Sequence, residues 1–250
     1  RVTAKINLFK VDKETGKAVP QGDATLKGAV YGLYAREDIV HPDGATGTIY
    51  KAGEQIASLT TDDKGKAETD KLYLGKYVIK ETKAPEGYLT DGAKAIEFSI
   101  TENGKIVDLT DESHSIYNQI KRGDLEGVKI GAGTHKRLAN VPFKITSKTT
   151  GESHIVVTDK NGQFSTASNW ASHKRNTNAG KSSEDGIWFG TSEPDDSKGA
   201  LLYDTYKIEE LACESNKGMK LIPAFEVVVS RNKVTIDLGT LTDEYEKEIT

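Results

Sequence analysis

Three residues invite chemistry because each is polar on what reads as the apolar face of a strand: Lys10, Glu81 and Asn118. In residues 3–12, Ile6, Leu8 and Lys10 fall on one face and Asn7, Phe9 and Val11 on the other. In the stretch from Tyr77, Tyr77, Ile79 and Glu81 share a face, and near residue 120 so do Ile116, Asn118 and Ile120. A buried charge is expensive unless it is paired or neutralised. A lysine, a carboxyl and a carboxamide together could form an intramolecular isopeptide bond. Burial is expected to lower the lysine pKa, which yields a neutral, nucleophilic amine, and to raise that of the glutamate, which can then donate a proton. The amine attacks the Asn118 carboxamide, and Glu81 polarises the carbonyl and shuttles protons as ammonia leaves. Contact between the groups supplies the effective concentration. This is a single-turnover maturation, not an enzyme acting on an external substrate. A non-covalent Lys10–Glu81 pair beside a hydrogen-bonded core amide accounts for the same residue types.

The elements that must position these groups are strands and turns. After the first strand and the turn Glu14-Thr-Gly-Lys17 comes a second strand, Ala29–Tyr34, then a polar loop around 41–47. Ile56–Thr61 and Ala67–Leu74 flank the turn Asp62-Asp-Lys-Gly65. Ala84-Pro-Glu-Gly87 stops the Glu81 strand with turn chemistry. Residues 95–101 and 105–109 read as a hairpin across Glu102-Asn-Gly104, and Ser115–Ile120 closes the unit.

Composition agrees with an all-β chain. Of 250 residues, 36% are hydrophobic and 29% charged, which is polar for a globular protein but outside the disordered class. Helical heptads are absent, turn pairs are frequent, and Val, Ile, Thr and Tyr dominate the short apolar runs. The net charge of −4 is spread without a basic stripe, which argues against nucleic acid as a partner. No apolar run approaches the ~20 residues of a membrane span. Arg1 and the missing signal peptide suggest a mature or excised segment. The single cysteine, Cys213, excludes an intrachain disulfide, so an extracellular protein of this kind would need another staple.

After Lys121-Arg-Gly-Asp124, read as a junction, the pattern restarts. The expected domains are 1–121 and 122–250. Leu125–Ile130 places Lys129 on Lys10, Val141–Ile145 matches Val30–Tyr34, and Thr158–Gly162 matches Thr61–Gly65. Tyr206–Glu210 places Glu210 on Glu81, and Val234–Leu238 matches Lys105–Leu109. The second unit carries an insertion at about 163–205, roughly 30 residues in excess, a length at which loops tend to be functional or disordered.

The ordered set Ile6-x-Leu8-x-Lys10-Val11-Asp12, Thr15-Gly16, Ala29-x-Tyr31-x-Leu33, Thr61-Asp-x-x-Gly65, Gly75-x-Tyr77-x-Ile79-x-Glu81, Ala84-Pro-Glu-Gly-Tyr88 and Tyr117-Asn118 resembles the Cna B-type, SpaA-like (prealbumin-like) repeats of Gram-positive surface adhesins and pilins. The resemblance covers residues 3–120. It implies two tandem Ig-like or prealbumin-like β-sandwiches. It also implies a first-strand lysine bonded to a last-strand asparagine with help from the glutamate before the turn, here Lys10, Asn118 and Glu81. The expected role is a structural stalk segment at the bacterial cell surface, outside the cell. It would pull against neighbouring repeats and be anchored to the wall through a region beyond this segment. The alternative is a ligand-binding module that recognises a host matrix protein or glycan through the 163–205 insertion.

The second unit departs from the bond-forming pattern. Lys129 and Glu210 are in place, but counting from the shared Asp-Leu pair puts Lys247 on Asn118, and a lysine offers no acyl group. The acyl donors left open are Asp237, Asp243 and an asparagine of the insertion; an ion pair or a shifted register explains Lys129 and Glu210 equally. Trp170 and Trp188 are binding candidates, or with Phe189 they pin the insertion to the sandwich. Cys213 reads as a small core filler. His154, His173 and Asp159 lack a metal-ligand spacing, and no metal or cofactor is expected.

Overall fold

The computed structural model describes residues 6–90, 94–111, 114–175 and 186–245, with side chains described in the first strand from Lys10 onward. The expected face partners Ile6 to Phe9, and Glu246 to Ile249 around Lys247, therefore lie outside the described side chains. The chain divides into two compact units, 1–120 and 121–250. No helix among the described residues is long and apolar enough to cross a membrane.

The first unit consists of β1 (Ile6–Asp12), β2 (Val30–Ala35), β3 (Ile39–Val40), β4 (Thr48–Tyr50), β5 (Gln55–Thr60), β6 (Lys66–Glu68), β7 (Gly75–Lys83), β8 (Ile96–Ile100), β9 (Val107–Leu109) and β10 (Ile116–Asn118). One sheet runs β5-β2-β7-β8; the other is built on β1, flanked by β6 on one side and by β9 and then β10 on the other. The strands form because their apolar residues repeat every second position: along β8, Ile96, Phe98 and Ile100 are buried while Glu97 and Ser99 are exposed. Tyr31, Leu33, Tyr77, Ile79, Leu109 and Ile116 fill the space between the sheets. Burying one such side chain is worth about 1.5–3 kcal/mol, so the core carries the unit.

The second unit repeats this plan. It contains β11 (Arg122–Ile130), β12 (Pro142–Ser147), β13 (Ser153–Val157), β14 (Gln163–Ser165), β15 (Leu201–Leu202), β16 (Asp204–Glu210), β17 (Met219–Lys220), β18 (Phe225–Val229), β19 (Thr235–Thr242) and β20 (Glu244–Tyr245). The sheet β13-β12-β16-β18 corresponds strand for strand to β5-β2-β7-β8, and β11 takes the place of β1, paired with β14 and, in parallel, with β19.

The expected hairpin across Glu102-Asn-Gly104 does not form. β8 pairs with β7, whereas β9 pairs with β1 in the opposite sheet. Ile100 and Leu109 are both buried, and they reach the core from opposite layers, so burial draws the two segments apart. The Asn-Gly turn, with Gly104 at φ +77°, carries the chain across the sandwich instead. The second unit starts at Lys121, and Arg122-Gly-Asp124 of the expected junction opens β11 with Arg122 buried.

Candidate cross-linking site

The site of the first unit is built where the first and last strands run side by side. β1 and β10 are parallel neighbours, with Lys10 opposite Ile116 and Asp12 opposite Asn118. The Thr61-Asp-x-x-Gly65 turn fixes β1 from the other side. Thr61 accepts from Ala29 N and donates to the Leu26 carbonyl, Asp62 accepts from the N–H groups of Lys64 and Lys66, and Lys10 N donates to the Gly65 carbonyl at 2.9 Å. Gly65 adopts φ +77°, and a Cβ there would lie 2.9 Å from that of Lys10. Only glycine lets the turn sit this close to the lysine stem.

Glu81 bridges the other two groups. Its Oε2 accepts from Lys10 Nζ at 2.7 Å and its Oε1 from Asn118 Nδ2 at 2.5 Å; the Lys10 and Glu81 side chains are each 1% exposed. Asn118 Nδ2 also donates to the Leu89 carbonyl at 2.6 Å, which leaves Asn118 Oδ1 buried without a hydrogen-bond partner. Burial lowers the Lys10 pKa to about 8, against the opposing pull of Glu81. The arrangement can therefore supply a neutral amine close to neutral pH. It also aims the amide nitrogen, the leaving group, at the carboxyl that would protonate it. The Pro-Glu-Gly turn carries Tyr88 back onto the site, where its hydroxyl donates to Asp12 Oδ2 at 2.7 Å. Asp12 in turn accepts from the N–H groups of Glu14 and Thr15, which ties the first turn to the end of β1.

The second unit reproduces the arrangement with one substitution. Lys129 pairs with Leu241 as Lys10 pairs with Ile116, and two residues beyond each lies the candidate acyl donor: Asn118 in the first unit, Asp243 in the second. Lys129 Nζ is 3.1 Å from Asp243 Oδ1 and 3.7 Å from Glu210 Oε2, and all three side chains are fully buried. Neither Asp243 oxygen is in hydrogen-bond geometry with the ammonium, so that contact is an ion contact. Burial, followed by the facing Asp243 carboxyl, pushes the Glu210 pKa up to about 7, while Ile222 N and Asn216 oppose the rise. Asn216 Nδ2 donates to Glu210 Oε2 at 2.9 Å and to the Leu211 carbonyl at 3.0 Å, and Ile222 N donates to Glu210 Oε1 at 3.0 Å. Asn216 belongs to the short 3-10 turn Glu214–Asn216 that replaces the Ala-Pro-x-Gly turn. Thr158 and Gly162 hold β11 as Thr61 and Gly65 hold β1.

Counting along the sequence points to Lys247, which lies outside the described residues; the structure brings Asp243, one of the acyl donors left open, to the site. Nine residues separate Leu109 from Asn118, but five separate Leu238 from Asp243. In the first unit the chain leaves the sheet after β9 and returns as β10, whereas β19 runs on past a bulge at Gly239, φ +70°. Asp237 is exposed, sits opposite Glu126 on the outer face, and does not join the site.

Of the two tryptophans, Trp188 is closed to ligands. It is 1% exposed, and the Arg122 guanidinium stacks 3.8 Å from its ring centroid. Arg122 donates to the carbonyls of Phe189 (2.8 Å), Gly199 and Ala200, so a buried arginine clamps the insertion to β11. Burial of a lone arginine in a polar tetrapeptide gave no sequence signal. Trp170 is 40% exposed beside a groove of about 210 Å³ lined by Glu126, Gln163, Ser165 and Asp237. Cys213 is half-buried, and its N–H donates to Asn216 Oδ1. His154, in β13, faces Glu152, and His173 lies between the carbonyls of Thr166 and Asp195. Among the described residues no group of His, Cys, Asp and Glu is arranged to hold a metal.

Residues 4–113 match the family model of the SpaA prealbumin-like fold domain. The first unit is accordingly a SpaA-type prealbumin-like domain, and the repeated topology gives the second unit the same β-sandwich plan. Comparison with curated proteins finds no match. Among solved structures, the Bacillus anthracis TIE protein is similar over 98% of this chain and 34% of its own, with 19% identity and a TM-score of 0.56. A streptococcal ancillary pilin matches over 99% of this chain and 63% of its own, with 18% identity and a TM-score of 0.34. GBS52, the minor pilin of Streptococcus agalactiae, matches over 99% of this chain and 98% of its own, with 16% identity and a TM-score of 0.36. The chain thus spans about a third of the length of the Bacillus protein.

Proposed function

We propose that this chain is a tensile segment of a Gram-positive surface pilin or adhesin, each of whose units is closed by an autocatalytic isopeptide bond. The carrying observation is the bridge made by Glu81 between the Lys10 amine and the Asn118 amide inside a closed core. In the first unit Lys10 Nζ, as the free amine, attacks Asn118 Cγ. The Cγ–Nδ2 bond breaks, and Glu81 passes the amine proton to the departing nitrogen, so one ammonia leaves and Glu81 is regenerated. In the second unit Lys129 Nζ attacks Asp243 Cγ with Glu210 as the proton carrier, and water leaves. The lysine positions are repeated, but the leaving groups differ.

The mechanical consequence follows from strand order. β1 and β10 are the terminal strands of the unit and lie in parallel register, so a pull on the two ends shears them past each other. With the bond in place, force passes from residue 10 directly to residue 118 and bypasses the hydrogen bonds between. The bond also staples a unit that has no disulfide. Neighbouring repeats of the same surface protein are the natural partners of such a tether.

The intact mass of the purified chain tests this reading. Two bonds lower it from the sequence value by one ammonia and one water, and peptide mapping yields branched fragments joining Lys10 to Asn118 and Lys129 to Asp243. An unshifted mass would sink it.

Exposure of Trp170 beside the groove favours a second reading, a host-ligand module on the insertion. Binding to matrix proteins or a glycan array that disappears in Trp170→Ala would support it; unchanged binding, or none, would dismiss it.

A further inference from the structure

The two units differ at the residue directly opposite the bridging glutamate. In the pairing of β2 with β7, Tyr31 faces Glu81; in the pairing of β12 with β16, Phe143 faces Glu210. Tyr31 is 1% exposed, and Lys10 Nζ lies 5.9 Å from the centroid of its ring. Burial, followed by the Glu81 carboxyl across the strand pair, pushes the phenol well above its usual range, so the hydroxyl keeps its proton beside that carboxyl. Glu81 thus accepts from the Lys10 amine and the Asn118 amide, with the protonated Tyr31 hydroxyl facing it from the neighbouring strand. Glu210 takes its fixed donors elsewhere, from Asn216 Nδ2 and Ile222 N, because Phe143 has none to give and stacks on Phe164 at 4.7 Å.

We infer that Tyr31 is a positioning residue for cross-link formation in the first unit. Its hydroxyl anchors the Glu81 carboxyl in the rotamer that spans amine and amide. In the second unit Asn216 and Ile222 N perform this task, which frees the position of Tyr31 to be a phenylalanine. The inference rests on the isopeptide reading proposed above. A carboxyl with only the two reactants as partners loses its alignment as soon as either one moves. One that is also held by a group outside the reaction keeps it through proton transfer. Hydrogen bonds to a charged group are among the stronger ones, and removal of one that acts in the transition state slows a step by about 10- to 100-fold.

The test follows newly synthesised full-length chain by mass spectrometry, comparing native protein with Tyr31→Phe over a range of pH. The variant is expected to lose its ammonia about 10- to 100-fold more slowly. The slowing should persist at every pH tested, because what is lost is alignment. Water loss from the second unit should be unchanged, and it serves as the internal clock. A tyrosine that only fills space would leave the rate in place. Native rate and profile in Tyr31→Phe would overturn the inference while leaving the isopeptide reading intact. Native chain that never loses ammonia would overturn that reading and the inference with it. A double-mutant cycle of Tyr31→Phe with Glu81→Gln, in an Asn118→Ala background that cannot bond, covers the case of a poorly folding variant. Coupling in denaturant stability supports the hydroxyl–carboxyl link, and strict additivity refutes it.

Discussion

Consider Glu81→Gln. The change keeps the shape of the side chain, but its single carbonyl oxygen can accept from only one of Lys10 and Asn118, its NH2 faces the other, and it cannot carry a proton between them. The expected product is a chain that, measured against its own sequence mass, has kept the ammonia that the native first unit loses. A bond from Lys10 to Asn118 closes a loop of about 110 residues, which in the chain-entropy model stabilises the unit by about 5 kcal/mol. For a unit of this size that corresponds to roughly 20 °C in the melting temperature. The stability loss by itself does not discriminate between readings. In a non-covalent unit the same substitution strands a buried ammonium, at a cost of about 3–5 kcal/mol, part of which Lys10 avoids by deprotonating from its already lowered pKa of about 8. Two observables separate them. The covalent reading gives the mass difference, and it gives a larger denaturant slope in the variant, whose unfolded chain is no longer held as a loop. Ion-pair loss predicts the native mass to equal the sequence mass and leaves the slope unchanged. Native protein without ammonia loss, or Glu81→Gln protein that still loses it, would refute the mechanism.

Further outcomes are expected. Asp243→Ala should abolish the water loss and the branched Lys129 peptide while leaving ammonia loss intact, and Lys247→Ala should affect neither. Formation of the second bond should slow as pH rises through about 7, because Glu210 must hold a proton and its pKa is raised to about 7; a time course of water loss across that range checks it. The sign for stability is the same. In the unbonded Asp243→Ala chain, where burial still raises the Glu210 pKa, the carboxyl binds a proton in the folded state that it releases on unfolding, so stability should fall as pH climbs from the unfolded value. Gly65→Ala, at φ +77° and with its Cβ 2.9 Å from that of Lys10, should displace the lysine and leave the first unit partly uncross-linked by mass. Arg122→Ala should unclamp the insertion and destabilise the second unit by about 3–5 kcal/mol, seen as new proteolytic cuts between 166 and 200.

The first site was legible in the sequence because strand periodicity is strict there. Tyr77, Ile79 and Glu81 share a face, as do Ile116, Asn118 and Ile120, and a charge on such a face stands out from the alternation alone. The turns were legible for a similar reason: Thr61 and Gly65 do the same local work as Thr158 and Gly162, through the same hydrogen bonds. What sequence counting could not supply was pairing between segments far apart in the chain. An Asn-Gly turn specifies a reversal, yet it does not say whether the strands it joins lie in one sheet or two. That choice belongs to the core, which takes Ile100 and Leu109 from opposite layers. The same gap moved the residue that faces Lys129. A bulge at Gly239 adds one residue to β19 and the excursion between β9 and β10 is dispensed with, so equal distances along the chain no longer mean equal positions in space. Register against the lysine strand is the invariant: two residues beyond the partner of each lysine stands a side chain with an acyl carbon, Asn118 in one unit and Asp243 in the other. A repeat that conserves register while changing the leaving group retains the geometry of the reaction and alters its pH dependence, because an amide brings no titratable group to the buried site and an acid brings one.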